Sequence, residues 1–157
     1  MVMISRTSVA DEEDAGFGSP IAESLFGNAD KLRAAWIDPN RVGSEEILIA
    51  EVDRRVVGLV KVEDRGEELE LVDIDVAREL QGRGIGTCLV RFVEDRAHAQ
   101  GKKAVTLGTS RSAAGVPWKS LPWWNSRGYR VTHEEENAWT RSIGSGVREI
   151  RMRKDLP

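Results

Sequence analysis

Glycine occupies alternate positions in Gln81-Gly82-Arg83-Gly84-Ile85-Gly86, and the chain turns apolar directly afterwards at Cys88-Leu89-Val90. Such spacing is poor for a helix or a strand but suits backbone that must come close to a ligand. Unpaired N–H groups and a partial positive charge at a following helix N-terminus would favour phosphate. A P-loop is excluded because no Gly-Lys-Ser/Thr follows the glycines. A dinucleotide fingerprint fails as well, since the third glycine would fall at Thr87. The remaining pattern is Gln-x-x-Gly-x-Gly, a strand-to-helix turn that either meets a phosphorylated ligand or lets the helix pack close to a sheet.

Two other groups of residues could do chemistry. Asp73 and Asp75 interrupt the apolar run Glu68-Leu-Glu-Leu-Val-Asp-Ile-Asp-Val76. Buried carboxylates are costly unless paired, so these line a cleft, meet an arginine or lie near water. Trp118, Trp123 and Trp124 fall within seven residues, either as an aromatic wall for a ligand or as anchors holding an irregular loop to the core. His98 and His133 have no partner pattern, Cys88 is the single cysteine, and no metal site is expected.

The elements that must position these residues follow from periodicity. Residues 2–8 read as a first strand, 9–16 as an acidic helix start, and 28–36 as a helix capped by Asn28. Segments 47–52, 56–63 and 68–76 predict three strands joined by tight turns at Asp53-Arg55 and Asp64-Glu67, an antiparallel meander. Ile85, Cys88, Leu89, Phe92, Val93 and Ala97 recur at helical spacing, which predicts an amphipathic helix over 85–100 with Cys88 in its core face. Gly101 stops it. Segment 103–109 is then a strand parallel to 68–76 by a crossover. Pro117, Pro122 and Gly128 leave room for at most a short helix, and 129–134 with 147–154 predict a hairpin over a long connection. The fold class is α/β, with a mixed, mostly antiparallel sheet of about six or seven strands flanked by helices.

The chain of 157 residues is expected to form a single domain, 1–157. Its net charge of −3 and scattered Lys and Arg argue against a nucleic-acid surface. Arg148, Arg151, Arg153 and Lys154 read as a solvated strand face. No apolar run approaches a membrane span, the first residues do not read as a secretory signal, and one cysteine fits a cytoplasmic protein.

The glycine loop resembles the acetyl-coenzyme A pyrophosphate loop of the GNAT N-acetyltransferase superfamily. Leu71 to Gly86 resembles that family's fourth strand running into its third helix, Trp123-Trp-Asn-Ser-Arg-Gly-Tyr129 its Phe-Tyr-x-x-x-Gly-Phe region, and residues 150–156 its last strand. The agreement in segment order covers about residues 46 to 155. The resemblance implies transfer of an acetyl group to a primary amine by direct attack, without a covalent enzyme intermediate. Main-chain amides of Gln81, Gly82, Arg83, Gly84, Ile85, Gly86 and Thr87 would hold the pyrophosphate. Ile74, Asp75 and Val76 would receive the pantetheine arm, with an amide near Val76 stabilising the oxyanion. Relatives carry an ionisable residue about six positions before Val76, which makes Glu70 the first candidate base and Asp73 the second. Trp118, Trp123 and Trp124 would flank the acceptor, a small-molecule amine or a protein amino group. A homodimer is common among relatives.

One position departs from the family. The tyrosine that can protonate the leaving thiolate is Trp124 here, and an upstream asparagine is Pro117. Indole has an N–H donor but is no proton-transferring acid. The only tyrosine, Tyr129, is the remaining candidate acid. The alternative reading is a coenzyme A-binding sensor or interaction module with degraded catalysis.

Overall fold

The computed structural model describes residues 3–8, 45–53, 55–117 and 120–157. The helices expected over 9–16 and 28–36, and Trp118, lie outside these residues. Seven strands form one sheet: β1 (Met3–Ser8), β2 (Glu45–Val52), β3 (Arg55–Asp64), β4 (Glu68–Val76), β5 (Ala104–Arg111), β6 (Arg130–Glu135) and β7 (Arg148–Asp155). They lie in the order β1-β2-β3-β4-β5-β7-β6. Every neighbouring pair is antiparallel except β4 and β5. That exception arises because α1 (Ile85–Ala99) carries the chain across the sheet between them.

Local chemistry sets the turns. Asp64 Oδ1 accepts from the Gly66 amide at 2.9 Å, closing the β3–β4 connection as an Asx turn. Helix α1 lays Ile85, Leu89, Val90, Val93 and Ala97 on the sheet, where Leu48, Val60, Leu71, Ile74, Leu107 and Met152 complete the core. Each such aliphatic side chain contributes about 1.5–3 kcal/mol on burial. Cys88 is exposed rather than in this core, because the buried stripe is narrower than the sequence periodicity suggested and passes beside it.

Two further helices follow. Helix α2 (Ser120–Ser126) fills the short space allowed by Pro117 and Gly128. Helix α3 (Ala138–Ile143) lies within the β6–β7 connection, where only a long link had been expected. A reciprocal capping box holds its start, the Asn137 side chain accepting from the Thr140 amide at 3.0 Å and the Asn137 amide donating to the Thr140 hydroxyl at 2.9 Å. Among the described residues no helix is long and apolar enough to cross a membrane.

A register shift in β4 matters most for the site. Lys61 pairs with Asp73, but Val62 pairs with Leu71, so Val72 is an extra residue on β4. Strict alternation predicted Glu70 on one face with Val72, Ile74 and Val76. The bulge corrects this: Leu69, Leu71 and Ile74 all join the core under α1, and Glu70 shares the opposite face with Asp73 and Asp75.

Candidate active site

The sheet opens at the carboxyl end of its parallel pair. Strands β4 and β5 stay paired from Glu68–Ala104 to Leu71–Leu107 and no further. Beyond that point β4 remains paired with β3 as far as Val76, and β5 with β7 as far as Arg111. Each strand is held on its outer side, so the inner edges splay into a V. The main chain from Val72 to Val76 thus has no β5 partner.

This V forms a cleft of about 320 Å³. Leu71, Ile74 and Leu107 supply its apolar floor, and Trp124, 4% exposed, closes one side. Thr109 and Ser120 also line it, their hydroxyls 2.9 Å apart. Trp139 and Ile143 of α3 form its outer rim. Asp73 is the only ionisable side chain lining it among the described residues.

Val76 leads into a second cleft at the glycine loop, which Trp123 borders from the far side. Gly82 and Gly84 have φ of 79° and 84°, a left-handed backbone that L side chains rarely adopt. Gly84 is the N-cap of α1 and has no side chain to satisfy the first amides, which leaves the N–H groups of the first turn open to an anion. Gly86 meets no such requirement: a Cβ there would lie 3.7 Å from the Trp123 ring, in ordinary contact. The Gln81 amide donates to the Val76 carbonyl at 3.2 Å, tying the loop to the end of β4. Arg83 is exposed and does not line this cleft.

Arg127 is the cation that does line it, and the sequence had not singled it out. Its guanidinium stacks 3.7 Å above the Trp123 ring and donates to the Thr87 hydroxyl at 2.5 Å. Its Nε is buried without a hydrogen bond among the described residues. A wall of amides facing a stacked arginine with an unmet donor fits a diphosphate.

The expected catalytic residues separate. Glu70 is 2% exposed, and both of its oxygens lie 2.6 Å from Nη2 of Arg151. Arg65 Nη1 adds a third contact at 2.8 Å. Burial opposes the Arg151 charge, but hydrogen bonds and the fields of Glu70 and Glu149 outweigh it and hold the guanidinium above its usual range. Glu70 is thus the centre of a buried ion-pair cluster and does not line the cleft. Arg151 and Arg153, read from sequence as a solvated face, are ion-paired: Arg151 with Glu70 and Glu149, Arg153 with Glu68 and Asp155.

Tyr129 is also away from the cleft. It is 2% exposed, packs edge-on against Trp124 and donates to Glu94 at 3.1 Å. Burial and then the adjacent Glu94 carboxylate push its phenol far above the ordinary value. Asp75 is buried, and Ile74 lines the V while Val76 lines the glycine cleft. Trp124 borders the V and Trp123 the glycine cleft, and their rings meet edge-on with centroids 4.6 Å apart.

A strand pair splayed beside a glycine loop can be compared with known proteins. The model of the acetyltransferase (GNAT) family matches residues 11–115, about two-thirds of the chain. The chain belongs to the GNAT acetyltransferase family. A 65-residue stretch is 42% identical to the probable N-acetyltransferase camello of Xenopus laevis, covering 40% of this chain and 30% of that one. The match therefore spans less than a third of that relative's length. A GNAT acetyltransferase from Elizabethkingia anophelis, solved with acetyl-CoA bound, superposes with a TM-score of 0.68 at 21% identity, covering 99% of this chain and 98% of that one. A Bacillus subtilis acetyltransferase in complex with CoA gives 0.68 at 18% identity over the whole of both chains. These structural likenesses establish the GNAT fold.

Proposed function

We propose that this chain is a single-domain enzyme that transfers the acetyl group of acetyl-coenzyme A to a primary amine. The observation that carries the reading is that the glycine-loop cleft and the V between β4 and β5 are neighbours along the same strand and the same short helix. Val76 and Trp123 border the first, and their near neighbours Ile74 and Trp124 border the second. One end suits a diphosphate and the other a thioester beside the part of β4 that β5 does not pair with.

The amides of α1's first turn and the Arg127 guanidinium hold the pyrophosphate, while the open edge of Ile74 to Val76 takes the pantetheine arm as a strand would. Acetyl-coenzyme A, once bound, supplies an acetyl thioester, whose exchange for an amide releases the thiol and one proton. Asp73 accepts a proton from the acceptor nitrogen, directly or through one water, and passes it to solvent. The second proton lost by the acceptor ends on the leaving sulfur, where the Thr109–Ser120 hydroxyl pair offers a hydrogen bond as the C–S bond breaks and the C–N bond forms. Glu70, on the same face as Asp73 but outside the cleft, supports the site through Arg151. This division of labour needs no tyrosine in the position of Trp124.

A thermal-shift comparison tests the cofactor assignment: acetyl-coenzyme A and coenzyme A raise the unfolding temperature, and ATP and NAD do not. Thiol release on an amine panel tests the transfer. Absence of a shift with coenzyme A would falsify the reading. Stabilisation by coenzyme A with no thiol release on any amine would support the sensor alternative instead.

A further inference from the structure

Tyr129, the candidate acid of the sequence, lies outside the lining of both clefts but closes the short helix that borders both. Helix α2 has seven residues, too few to hold its shape without tertiary support. Its end carries the hydrogen bonds of a Schellman motif. Gly128 has a φ of 92°, its amide donates to the Asn125 carbonyl at 3.1 Å, and the Tyr129 amide donates to the Trp124 carbonyl at 3.2 Å. The apolar contact that accompanies such a cap is present too, since the Tyr129 and Trp124 rings meet edge-on with centroids 5.2 Å apart. Arg127 stands between the helix and Gly128 and donates its own amide to the same Trp124 carbonyl at 3.0 Å. The cap therefore fixes the backbone from which the Arg127 side chain leaves.

This contact is anchored on both sides. Glu94 of α1 accepts from the Tyr129 hydroxyl at 3.1 Å and from the Lys154 ammonium of β7 at 3.0 Å. The same ammonium lies 5.8 Å from the centre of the Tyr129 ring. In the other direction Trp124 meets Trp123 edge-on, and Trp123 carries the Arg127 guanidinium 3.7 Å above its ring. Arg127 in turn reaches Thr87 in the first turn of α1. Contacts thus run unbroken from β7 through Tyr129 and two indoles to the cation of the glycine-loop cleft. Edge-on rings hold their relative tilt because the positive edge of one rests on the negative face of the next. Without the Tyr129 ring Trp124 is free to tilt, and Trp123 moves with it, carrying the stacked guanidinium away from the amides of α1.

We propose that Tyr129 is a positioning residue of the cofactor site, its ring holding Trp124, Trp123 and Arg127 in the arrangement that faces a diphosphate on the glycine loop. This rests on the coenzyme A reading of that cleft and deepens it. The ring is what acts, and the hydroxyl only ties it to Glu94.

Calorimetric titration with coenzyme A tests this in folded protein, where a role confined to stability leaves the affinity unchanged. Tyr129→Leu weakens coenzyme A about tenfold, and Tyr129→Phe, which keeps the ring, restores the affinity to within about twofold of the native chain. Because Tyr129 acts through Arg127, adding Tyr129→Leu to Arg127→Ala gives no loss beyond that of Arg127→Ala alone. Should Tyr129→Leu fail to fold, Tyr129→Met takes its place, since an unbranched side chain fills irregular gaps. Native affinity in the folded Leu or Met variant, additive losses in the double variant, or an equal loss in Phe and Leu overturns the proposal and leaves coenzyme A binding standing. No binding of coenzyme A by the native chain overturns both.

Discussion

At the scale of single residues, position relative to the V separates the titratable groups of β4. Asp73 and Glu70 are three residues apart on one strand, but only Asp73 lines the cleft. Asp73→Asn is expected to lower kcat by about 10²–10³-fold on the preferred amine while leaving the coenzyme A-induced thermal shift in place. A loss of the shift equal to the loss of turnover would count against a role at the acceptor end. Tyr129 gives a second test, because it is the only tyrosine and its absorbance is therefore site-specific. Burial and Glu94 raise its pKa, so the native state keeps the proton that the unfolded chain releases above about pH 10. Stability is unaffected below that pH and falls above it by about 1.4 kcal/mol per unit. In an alkaline titration phenolate should appear together with the loss of tertiary structure. A phenolate signal near pH 10 in folded protein would contradict the burial.

At the scale of elements, the glycine loop and the V work because each end of a strand is constrained differently. Gly84 at φ 84° is needed for conformation rather than space, since a Cβ there would meet nothing within 4 Å. Gly84→Ala should cost about 1 kcal/mol, or roughly 2–4 °C of unfolding temperature, from backbone strain alone. Calorimetry should show Arg127→Ala weakening coenzyme A about tenfold, the loss of a charge-assisted hydrogen bond. Unchanged affinity would assign Arg127 to anchoring Trp123 and Thr87 instead. The bulge at Val72 belongs to this scale too: it moves Asp73 to the face opposite α1.

At the scale of the whole molecule, charge on the face opposite α1 joins strands distant in sequence. Glu70 on β4 and Arg151 on β7 are separated by 81 residues and flank β5. Glu70→Ala would leave the Arg151 guanidinium with Glu149 as its remaining partner and should cost about 1–3 kcal/mol, read as a lower urea midpoint. An unchanged midpoint with turnover abolished would restore Glu70 as the base.

The sequence by itself determined the meander, the parallel crossover and the glycine loop, because tight turns, helical periodicity and φ > 0 glycines are local requirements written in residue types. Segment 68–76 was legible to the residue, and α1 to within one. The asparagine–threonine spacing at Asn137 and Thr140 was a signal for α3 that the sequence carried and the strand pattern around it obscured. Family membership also followed from the loop and its neighbours. Only the tertiary structure decided which side chains meet. A one-residue bulge reverses the faces of β4, and no periodicity reveals it. Of the partners of Glu70, Arg151 arrives from another strand 81 positions away. Arg127 and Trp139 acquire their places from how α2 and α3 dock, so the composition of the two clefts is a property of packing rather than of any short stretch of chain.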